Sequence, residues 1–170
     1  MNVVLCGMMG VGKSSVGMEI ARLTGRRWVD TDVVITTRHG RISDIFEFYG
    51  ESHFRSLETE VAAELSKQDG LVVSTGGGMV LKHENAELLK QNGKVFFLRA
   101  SFETLLSRVR ADGTRPLLKD TGKTSERLCE LLSERTPVYE RVSDFVVDTD
   151  GKSIAQVAAE ILALLSGAEQ

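Results

Sequence analysis

The feature that most constrains the fold of this 170-residue chain is a glycine-rich segment close to its start. Residues 7–14 read Gly-Met-Met-Gly-Val-Gly-Lys-Ser, which fits the pattern G-x-x-x-x-G-K-[ST]. An apolar run at residues 3–6 precedes the segment, and a helical pattern from about Lys13 to Leu23 follows it. A chance match in a chain of this length is on the order of one in two hundred. The segment therefore predicts a P-loop between a strand and a helix.

A P-loop holds phosphate groups through its backbone. Its glycines let N–H groups approach phosphate oxygens, and the helix that follows presents its N-terminus to the same anion. In this motif Lys13 neutralises the β- and γ-phosphates, and the hydroxyl of Ser14 ligates Mg²⁺. We therefore expect a nucleotide bound as its Mg²⁺ complex. The sequence has no Asn-Lys-x-Asp guanine-reading motif, which argues against a GTPase.

Further short apolar runs alternate with segments of helical periodicity along the chain. We predict strands at residues 3–6, 28–29, 71–74, 95–98 and 145–147. Runs that are apolar throughout are typical of parallel strands that helices cover on both faces. A chain of 170 residues fits one domain, here residues 1–170. The sequence thus predicts an α/β fold with a five-stranded parallel sheet flanked by helices.

One stretch, at residues 111–123, fits neither pattern. Loops of this length are either functional lids or disordered segments, and we expect a mobile surface loop. The stretch contains Arg115. An arginine on a mobile lid can clamp the charge that develops on a transferred phosphoryl group, although a loop arginine is more often simply solvated.

Charge balance and cysteine content limit the partners. Lys and Arg number 21 and Asp and Glu number 24, so the net charge is −3 and no overall positive field attracts nucleic acid or an anionic membrane. Apolar runs stay well below the roughly 18 residues that span a bilayer, and the start of the chain lacks a leader pattern. Cys6 and Cys129 show neither metal-ligand spacing nor a disulfide framework. We expect a soluble cytoplasmic protein with no nucleic-acid or membrane partner.

Two aspartates follow the second predicted strand, in the sequence Trp-Val-Asp-Thr-Asp at residues 28–32. Because the carboxyl ends of parallel strands face the ligand crevice, we expect Asp30 and Asp32 close to the phosphates. One carboxylate can orient metal-bound water, and the other can accept a proton from an attacking hydroxyl. The alternative for Asp32 is a helix N-cap before Val33. The neighbouring P-loop favours the functional interpretation.

Two arginines lie on or beside apolar helix faces. Arg55 borders such a face, and Glu58 is placed to fix its guanidinium. Arg135 lies within an apolar stripe, where a charge must meet a ligand or an internal acid. The stripe comprises Leu128, Leu131, Leu132 and Tyr139. Since arginine grips a planar carboxylate with two hydrogen bonds, each residue is a candidate for carboxylate binding, with a structural ion pair as the alternative.

The third predicted strand leads into Gly76, Gly77 and Gly78. Three glycines without side chains suit a close approach of backbone N–H groups to a small polar molecule. A tight turn is the alternative.

Taken in order, these features resemble the shikimate kinase family, and the resemblance covers nearly the whole chain. The shared features are the P-loop, Asp30-Thr31-Asp32, Phe54-Arg55 with Glu58, Gly76-Gly77-Gly78, Arg115-Pro116-Leu117-Leu118 and Glu134-Arg135-x-Pro137-x-Tyr139. The resemblance implies a P-loop kinase of the nucleoside-monophosphate-kinase type with a mobile lid at about residues 111–123. It also implies transfer of the ATP γ-phosphate to the 3-hydroxyl of shikimate, a step towards chorismate and the aromatic amino acids.

The same resemblance implies roles for individual residues. It assigns catalysis to Lys13, Asp32 and Arg115. ATP binding falls to Gly10, Val11, Gly12, Lys13, Ser14, Ser15, Arg108 and Arg115, with Arg108 flanking adenine. Shikimate binding falls to Asp32, Arg55, Gly76, Gly77, Gly78 and Arg135, with the two arginines on the carboxylate and the glycines on the ring hydroxyls. Mg²⁺ is held by Ser14 and, through water, by Asp30. The family also implies a monomer.

Two other interpretations remain open. A sugar-acid kinase of the gluconate type also needs a P-loop and carboxylate-binding arginines, but the two aspartates, the triple glycine and Arg135 argue against it. A nucleotide-sensing module without catalysis is the second, and the intact Lys13, Asp32 and Arg55 argue against that. The adenine side is the least well matched to the family, at residues 150–153.

Overall fold

The structure is a computed structural model that describes residues 1–111 and 123–168. The strands are β1 (Asn2–Cys6), β2 (Arg27–Asp30), β3 (Leu71–Ser74), β4 (Gly93–Arg99) and β5 (Phe145–Asp148). The helices are α1 (Lys13–Thr24), α2 (Thr31–His39), α3 (Ile42–Tyr49), α4 (Glu51–Leu65), α5 (His83–Lys90), α6 (Phe102–Ala111), α7 (Thr124–Val142) and α8 (Ile154–Ala168). A short 3₁₀ helix, Met79–Leu81, precedes α5.

The strands form one parallel sheet in the order β2-β3-β1-β4-β5, which confirms the predicted five-stranded parallel sheet. Every residue of the central strand β1 is buried. Such a strand needs apolar side chains on both faces, which is why its sequence shows no alternation. Around it, α1 packs against α8 and β3, while α5 and α7 pack against β4.

The register of the sheet brings three loops to one edge. Ser74, the last residue of β3, pairs with Asp30 at the end of β2 and with Leu5 near the end of β1. Since all three strands run in the same direction, the segments that follow them leave the sheet side by side. These segments are the P-loop, the aspartate pair and the triple glycine.

Three helices, α2, α3 and α5, were not among the sequence predictions. α2 and α3 are short, with nine and eight residues, and a glycine follows each of them. α2 and α3 both pack against α4, and the three helices form a wall beside the segment that follows β3.

The predicted loop at residues 111–123, apart from its two end residues, lies outside the described residues, and so does Arg115. Within residues 1–111 and 123–168, no helix combines the length and the apolar character that crossing a membrane requires.

Candidate active site

The P-loop joins β1 to α1, and glycine shapes its backbone. Gly7 has a φ of 138°, and a Cβ there would lie 2.5 Å from the carbonyl oxygen of Leu98, so the position admits only glycine. Gly12, with a φ of 104°, precedes α1 and provides no side-chain cap. The first turn of α1 also contains no acidic residue. The positive end of the helix dipole therefore remains available to an anion.

Two basic side chains reinforce this positive site. The Nζ of Lys13 donates to the carbonyl oxygens of Gly7 and Met8, at 2.8 and 3.0 Å, which holds the ammonium over the loop. From α6, the Nη1 of Arg108 donates to two further carbonyl oxygens of the loop, each at 3.0 Å. Charge, dipole and backbone N–H groups thus converge on one anion-binding position.

Asp30 joins the P-loop to α2. Its Oδ2 accepts a hydrogen bond from the Ser14 hydroxyl at 2.8 Å, and its Oδ1 accepts from the backbone N–H groups of Asp32 and Val33 at 3.0 and 3.3 Å. The N-cap of α2 is therefore Asp30, and the alternative that assigned capping to Asp32 is wrong. Asp32 instead lies in the first turn, where its carboxylate is not needed for the cap.

The adjoining oxygens of Ser14 and Asp30 suit a hard divalent cation. Mg²⁺ prefers oxygen ligands and typically takes few from the protein, leaving the rest to phosphates and water. No group of three or more His, Cys, Asp or Glu side chains in the described part of the chain could hold a metal by itself.

Two clefts meet at this edge of the sheet. The nucleotide cleft, of about 570 Å³, contains these predicted residues: Gly10, Val11, Gly12, Lys13, Ser14, Ser15, Asp30, Asp32 and Arg108. The acceptor cleft, of about 590 Å³, contains Asp32, Arg55, Gly76, Gly77, Gly78 and Arg135. Met9, Asp32 and Gly77 line both clefts. A group bound in one cleft is thus directly adjacent to a group bound in the other.

Arg55 enters the acceptor cleft from α4 and is held by acids of its own helix. Its Nη1 donates to Glu58 at 2.8 Å and its Nη2 donates to Glu51 at 3.0 Å, which confirms the predicted pairing with Glu58. The side chain of Glu58 is only 1% exposed, and burial raises its pKa while Arg55 opposes that rise. The guanidinium lies 5.4 Å from the ring centroid of Phe54. These contacts orient Arg55 without removing it from the cleft.

Arg135 enters the same cleft from α7 and is 7% exposed. Arg55 has two ion pairs, whereas within residues 1–111 and 123–168 Arg135 forms none with a carboxylate. The structural ion pair considered for Arg135 is therefore not observed there. A buried guanidinium that faces a cleft is well suited to bind an anionic ligand.

Each glycine of the triple-glycine run, residues 76–78, makes room for one charged side chain. A Cβ on Gly76 would lie 2.5 Å from Oδ1 of Asp32, and one on Gly77 would lie 3.3 Å from Nη1 of Arg135. A Cβ on Gly78 would collide with the guanidinium of Arg55. The run therefore lets three functional side chains lie against the backbone. This steric role adds to the predicted approach to a ligand.

The backbone N–H groups of the run are not all available to a ligand. The N–H of Gly76 donates to Oγ1 of Thr31 at 2.8 Å, inside the protein. Any direct hydrogen bond from this run to a ligand must therefore come from Gly77 or Gly78.

Sequence reasoning missed several residues that line the clefts. Met9 lines both clefts, and the nucleotide cleft is also lined by Thr149, Lys152, Ile154 and Val157. α2 and α3 add to the acceptor cleft the side chains of Thr36, Arg41, Ile42, Ser43 and Phe46. Met9 occupies a variable position of the P-loop motif, and Lys152 lies in the segment at residues 150–153 that matches the family least well. The other residues belong to no motif, and only tertiary packing reveals their position.

Comparison with known proteins places this arrangement in a family. The family profile described as shikimate kinase matches residues 9–166. A shikimate kinase of Geobacter sulfurreducens is 47% identical over 161 residues, which cover 94% of this chain and 88% of the relative. The solved structure of a shikimate kinase from Acinetobacter baumannii in complex with shikimate is 38% identical, with a TM-score of 0.92 over 98% of this chain and 93% of that chain.

A more distant structural neighbour is a kinase of the gluconate type, the class of sugar-acid kinase considered as an alternative. A gluconokinase from Sinorhizobium meliloti is 20% identical, with a TM-score of 0.63 over 97% of this chain and 91% of that chain, which shows a common fold alone. The P-loop kinase fold implied by the sequence is thus confirmed. The profile match and the full-length relatives also confirm the family resemblance carried by the motifs. The chain belongs to the shikimate kinase family.

Proposed function

We propose that this protein transfers the γ-phosphate of ATP to the 3-hydroxyl of shikimate, giving shikimate 3-phosphate and ADP. The observation that carries the proposal is the meeting of two clefts at Asp32, one built on a P-loop and the other containing two arginines. A phosphoryl donor and an anionic acceptor then bind side by side with a carboxylate between them. Family membership supplies the identity of the acceptor.

The nucleotide is held by residues 10–15 together with Arg108. Lys13 and the N-terminus of α1 neutralise the phosphates, because both direct positive charge to the same point in a partly enclosed cleft. Arg108 contacts the loop from α6 and is proposed to flank adenine. Arg115, which lies outside the described residues, is proposed from the sequence to contact the phosphates.

Mg²⁺ is proposed to bind at Ser14 directly and at Asp30 through water, since the two oxygens are adjacent and of the type this ion prefers. When bound, the ion neutralises charge on the β- and γ-phosphate oxygens. Asp30 then has two tasks, because the same carboxylate also caps α2.

The acceptor is proposed to bind with its carboxylate between Arg55 and Arg135. Both guanidinium groups line the cleft, and Glu58 fixes the orientation of Arg55. Gly77 and Gly78 border the space left for the ring hydroxyls. This placement supports an acceptor that is anionic and polyhydroxylated.

The chemical step requires Asp32 as the proton acceptor. As the acceptor oxygen forms its bond to the γ-phosphorus, the bond from that phosphorus to the β–γ bridging oxygen breaks and ADP leaves. The hydroxyl proton passes to the Asp32 carboxylate, which lines both clefts. Because such transfers depend mainly on positioning and charge stabilisation, the rigid placement of Asp32 and Lys13 is the main contribution of the protein.

A coupled ADP-release assay tests the proposal, with shikimate, gluconate and no acceptor compared at the same ATP concentration. We expect rapid ADP release with shikimate alone, and a Lys13→Ala control that loses turnover because one lost charge contact costs on the order of 3–4 kcal/mol in the transition state. Mass spectrometry of the product identifies the phosphorylated acid. Faster turnover with gluconate would refute the assignment in favour of a sugar-acid kinase. ATP binding without turnover on either acid would favour the sensing module.

We further propose that the protein acts as a monomer in the cytoplasm. A monomer is the state that the resemblance to the family implies. Cys6 is buried, Cys129 is exposed and both are free thiols, which suits a reducing compartment. Sedimentation equilibrium with and without both substrates checks the mass of the particle. Fractionation of the source cells checks its compartment.

A further inference from the structure

Two buried hydroxyl groups contact the triple-glycine run from opposite sides. Oγ1 of Thr31 accepts the N–H of Gly76 at 2.8 Å, and Oη of Tyr139 donates to the carbonyl oxygen of Gly77 at 2.5 Å. Both side chains are fully buried, with 0% exposure. Neither hydroxyl belongs to the substrate-binding residues considered above. They act on the peptide backbone at the junction of the two clefts.

Two charged side chains pack directly against the backbone of the glycine run. The carboxylate of Asp32 lies against Gly76, where a Cβ would overlap it, and the guanidinium of Arg135 lies in tight contact with the Cβ position of Gly77. The two hydroxyl-bearing residues lie close to these groups in the chain. Thr31 precedes Asp32 in α2, and Tyr139 lies one helical turn after Arg135 in α7. The hydroxyl of Thr31 therefore links α2, which bears Asp32, to Gly76. In the same way, the hydroxyl of Tyr139 links α7, which bears Arg135, to Gly77.

We propose that Thr31 and Tyr139 are positioning residues that set the separation between Asp32 and Arg135, and so align the acceptor hydroxyl with the γ-phosphate. The proposal rests on the proposed function for its catalytic consequence, but its structural part concerns the protein alone. Without the two bonds the glycine run, which has no side chains to anchor it, shifts relative to α2 and α7. The acceptor then remains bound but its hydroxyl is misaligned.

The surroundings of Tyr139 support a fixed donor. Its ring packs against Phe97 with centroids 5.1 Å apart, and its Oη also lies 3.9 Å from Sδ of Met8 in the P-loop. Burial raises the pKa of Tyr139 to about 12, so its proton stays in place over the working range of pH. The same hydroxyl thus touches both the glycine run and the P-loop.

Conservative substitutions with matched controls test the proposal. Tyr139→Phe keeps the ring and Thr31→Val keeps the volume, while each removes one hydroxyl. Thr37→Val on the same helix α2 and Tyr49→Phe, the other tyrosine of the chain, are the controls, since both side chains lie outside the clefts. Thr31→Ser restores a hydroxyl without the methyl group.

The first measurement is the ratio of phosphorylated acceptor to ADP at saturating substrates. We expect kcat of Tyr139→Phe and Thr31→Val to fall by about tenfold, the upper range for one neutral hydrogen bond. We expect the ratio to fall below one, because a misaligned acceptor lets water take the phosphoryl group. The acceptor KM should change by less than about threefold, since the contacts to Arg55 and Arg135 remain. Thr31→Ser and both controls should retain a ratio of one.

The second measurement needs no substrate. Hydrogen exchange of a peptide covering residues 74–80 should speed up in Thr31→Val and Tyr139→Phe but not in the controls. Unchanged exchange in both variants refutes the proposal, and so does a ratio that stays at one while the unmodified protein is active. Thr31→Ser as impaired as Thr31→Val would assign the effect to packing and also refute it. If the unmodified protein fails to phosphorylate shikimate, the proposed function is wrong, and exchange alone decides whether the two hydroxyls hold the run.

Discussion

A methyl group added at Gly76 should displace the carboxylate of Asp32, the proposed proton acceptor. In Gly76→Ala the new Cβ would lie 2.5 Å from Oδ1 and 3.3 Å from Cγ of Asp32. Ordinary contacts begin near 3.4 Å, so the carboxylate must retreat by roughly 1 Å. The backbone of Gly76 lies outside the left-handed region, so alanine adds no backbone strain there. The perturbation is therefore purely the displacement of one side chain.

The displacement predicts a loss of turnover with little loss of binding. A misplacement of about 1 Å at a reacting group costs on the order of 10²-fold in rate, and we expect kcat of Gly76→Ala to fall by that factor. The ATP dissociation constant should stay within about twofold, because no P-loop contact changes. Steady-state kinetics and calorimetric titration of a non-hydrolysable ATP analogue give the two quantities.

Two glycine variants calibrate this experiment. Gly167→Ala lies in α8 with no atom within 4 Å of the added methyl group, so its activity should be unchanged. Gly77→Ala brings the methyl group to 3.3 Å from Nη1 of Arg135 and should raise the acceptor KM more than it lowers kcat. A folded Gly76→Ala protein with kcat within threefold of the unmodified value would refute the placement of Asp32. Loss of ATP affinity would instead make Gly76 part of the nucleotide cleft.

Three further predictions use other residues. Asp32→Asn removes the proton acceptor at constant volume and should lower kcat by on the order of 10²-fold; a collapse of ATP binding with kcat intact would assign the residue to the metal site. Arg135→Lys keeps the charge but loses the planar fork, so the acceptor KM should rise about ten- to hundredfold, as expected for roughly 1.5–3 kcal/mol of charge-assisted hydrogen bonding; an unchanged KM with a large drop in Tm would mark a structural residue. Burial raises the pKa of Cys6 to about 12, whereas Cys129 is exposed. A thiol reagent at pH 8 should label Cys129 rapidly and Cys6 only after unfolding. Equal labelling of both thiols in the folded protein would contradict this labelling pattern. The Cys6 thiol ionises at lower pH in the unfolded chain than in the folded protein, so the free energy of unfolding should fall between about pH 9 and 12. Denaturant titrations of Cys6→Ala should show a smaller fall.

Local sequence was sufficient for the features that depend on neighbours in the chain. The P-loop needs glycines at fixed spacing and a helix that starts at Lys13, and both requirements are met within a dozen residues. The central strands could be predicted because a strand buried on both faces is apolar along most of its length, as β1 is from Val3 to Cys6. Parallel order follows from the alternation of these runs with helices. The same information located Asp30 and Asp32 at a strand end, and with it the edge at which substrates bind.

What the sequence left open depended on distances between remote parts of the chain. No local rule distinguishes which carboxylate caps α2, because Asp30 and Asp32 are both good N-cap residues, and the Ser14 hydroxyl reaches Asp30 only in the folded sheet. The wall formed by α2 and α3 was missed because short helices gain their stability from packing rather than from their own periodicity. The sequence predicts only that the triple glycine approaches a ligand. Its steric role appears only when Asp32, Arg55 and Arg135, from three different helices, converge on it. Sequence alone therefore determined the chemical groups and the edge of the sheet where they gather. The distances between these groups were decided by tertiary packing. Helices and strands far apart in the chain must all be in place before any of those distances is set.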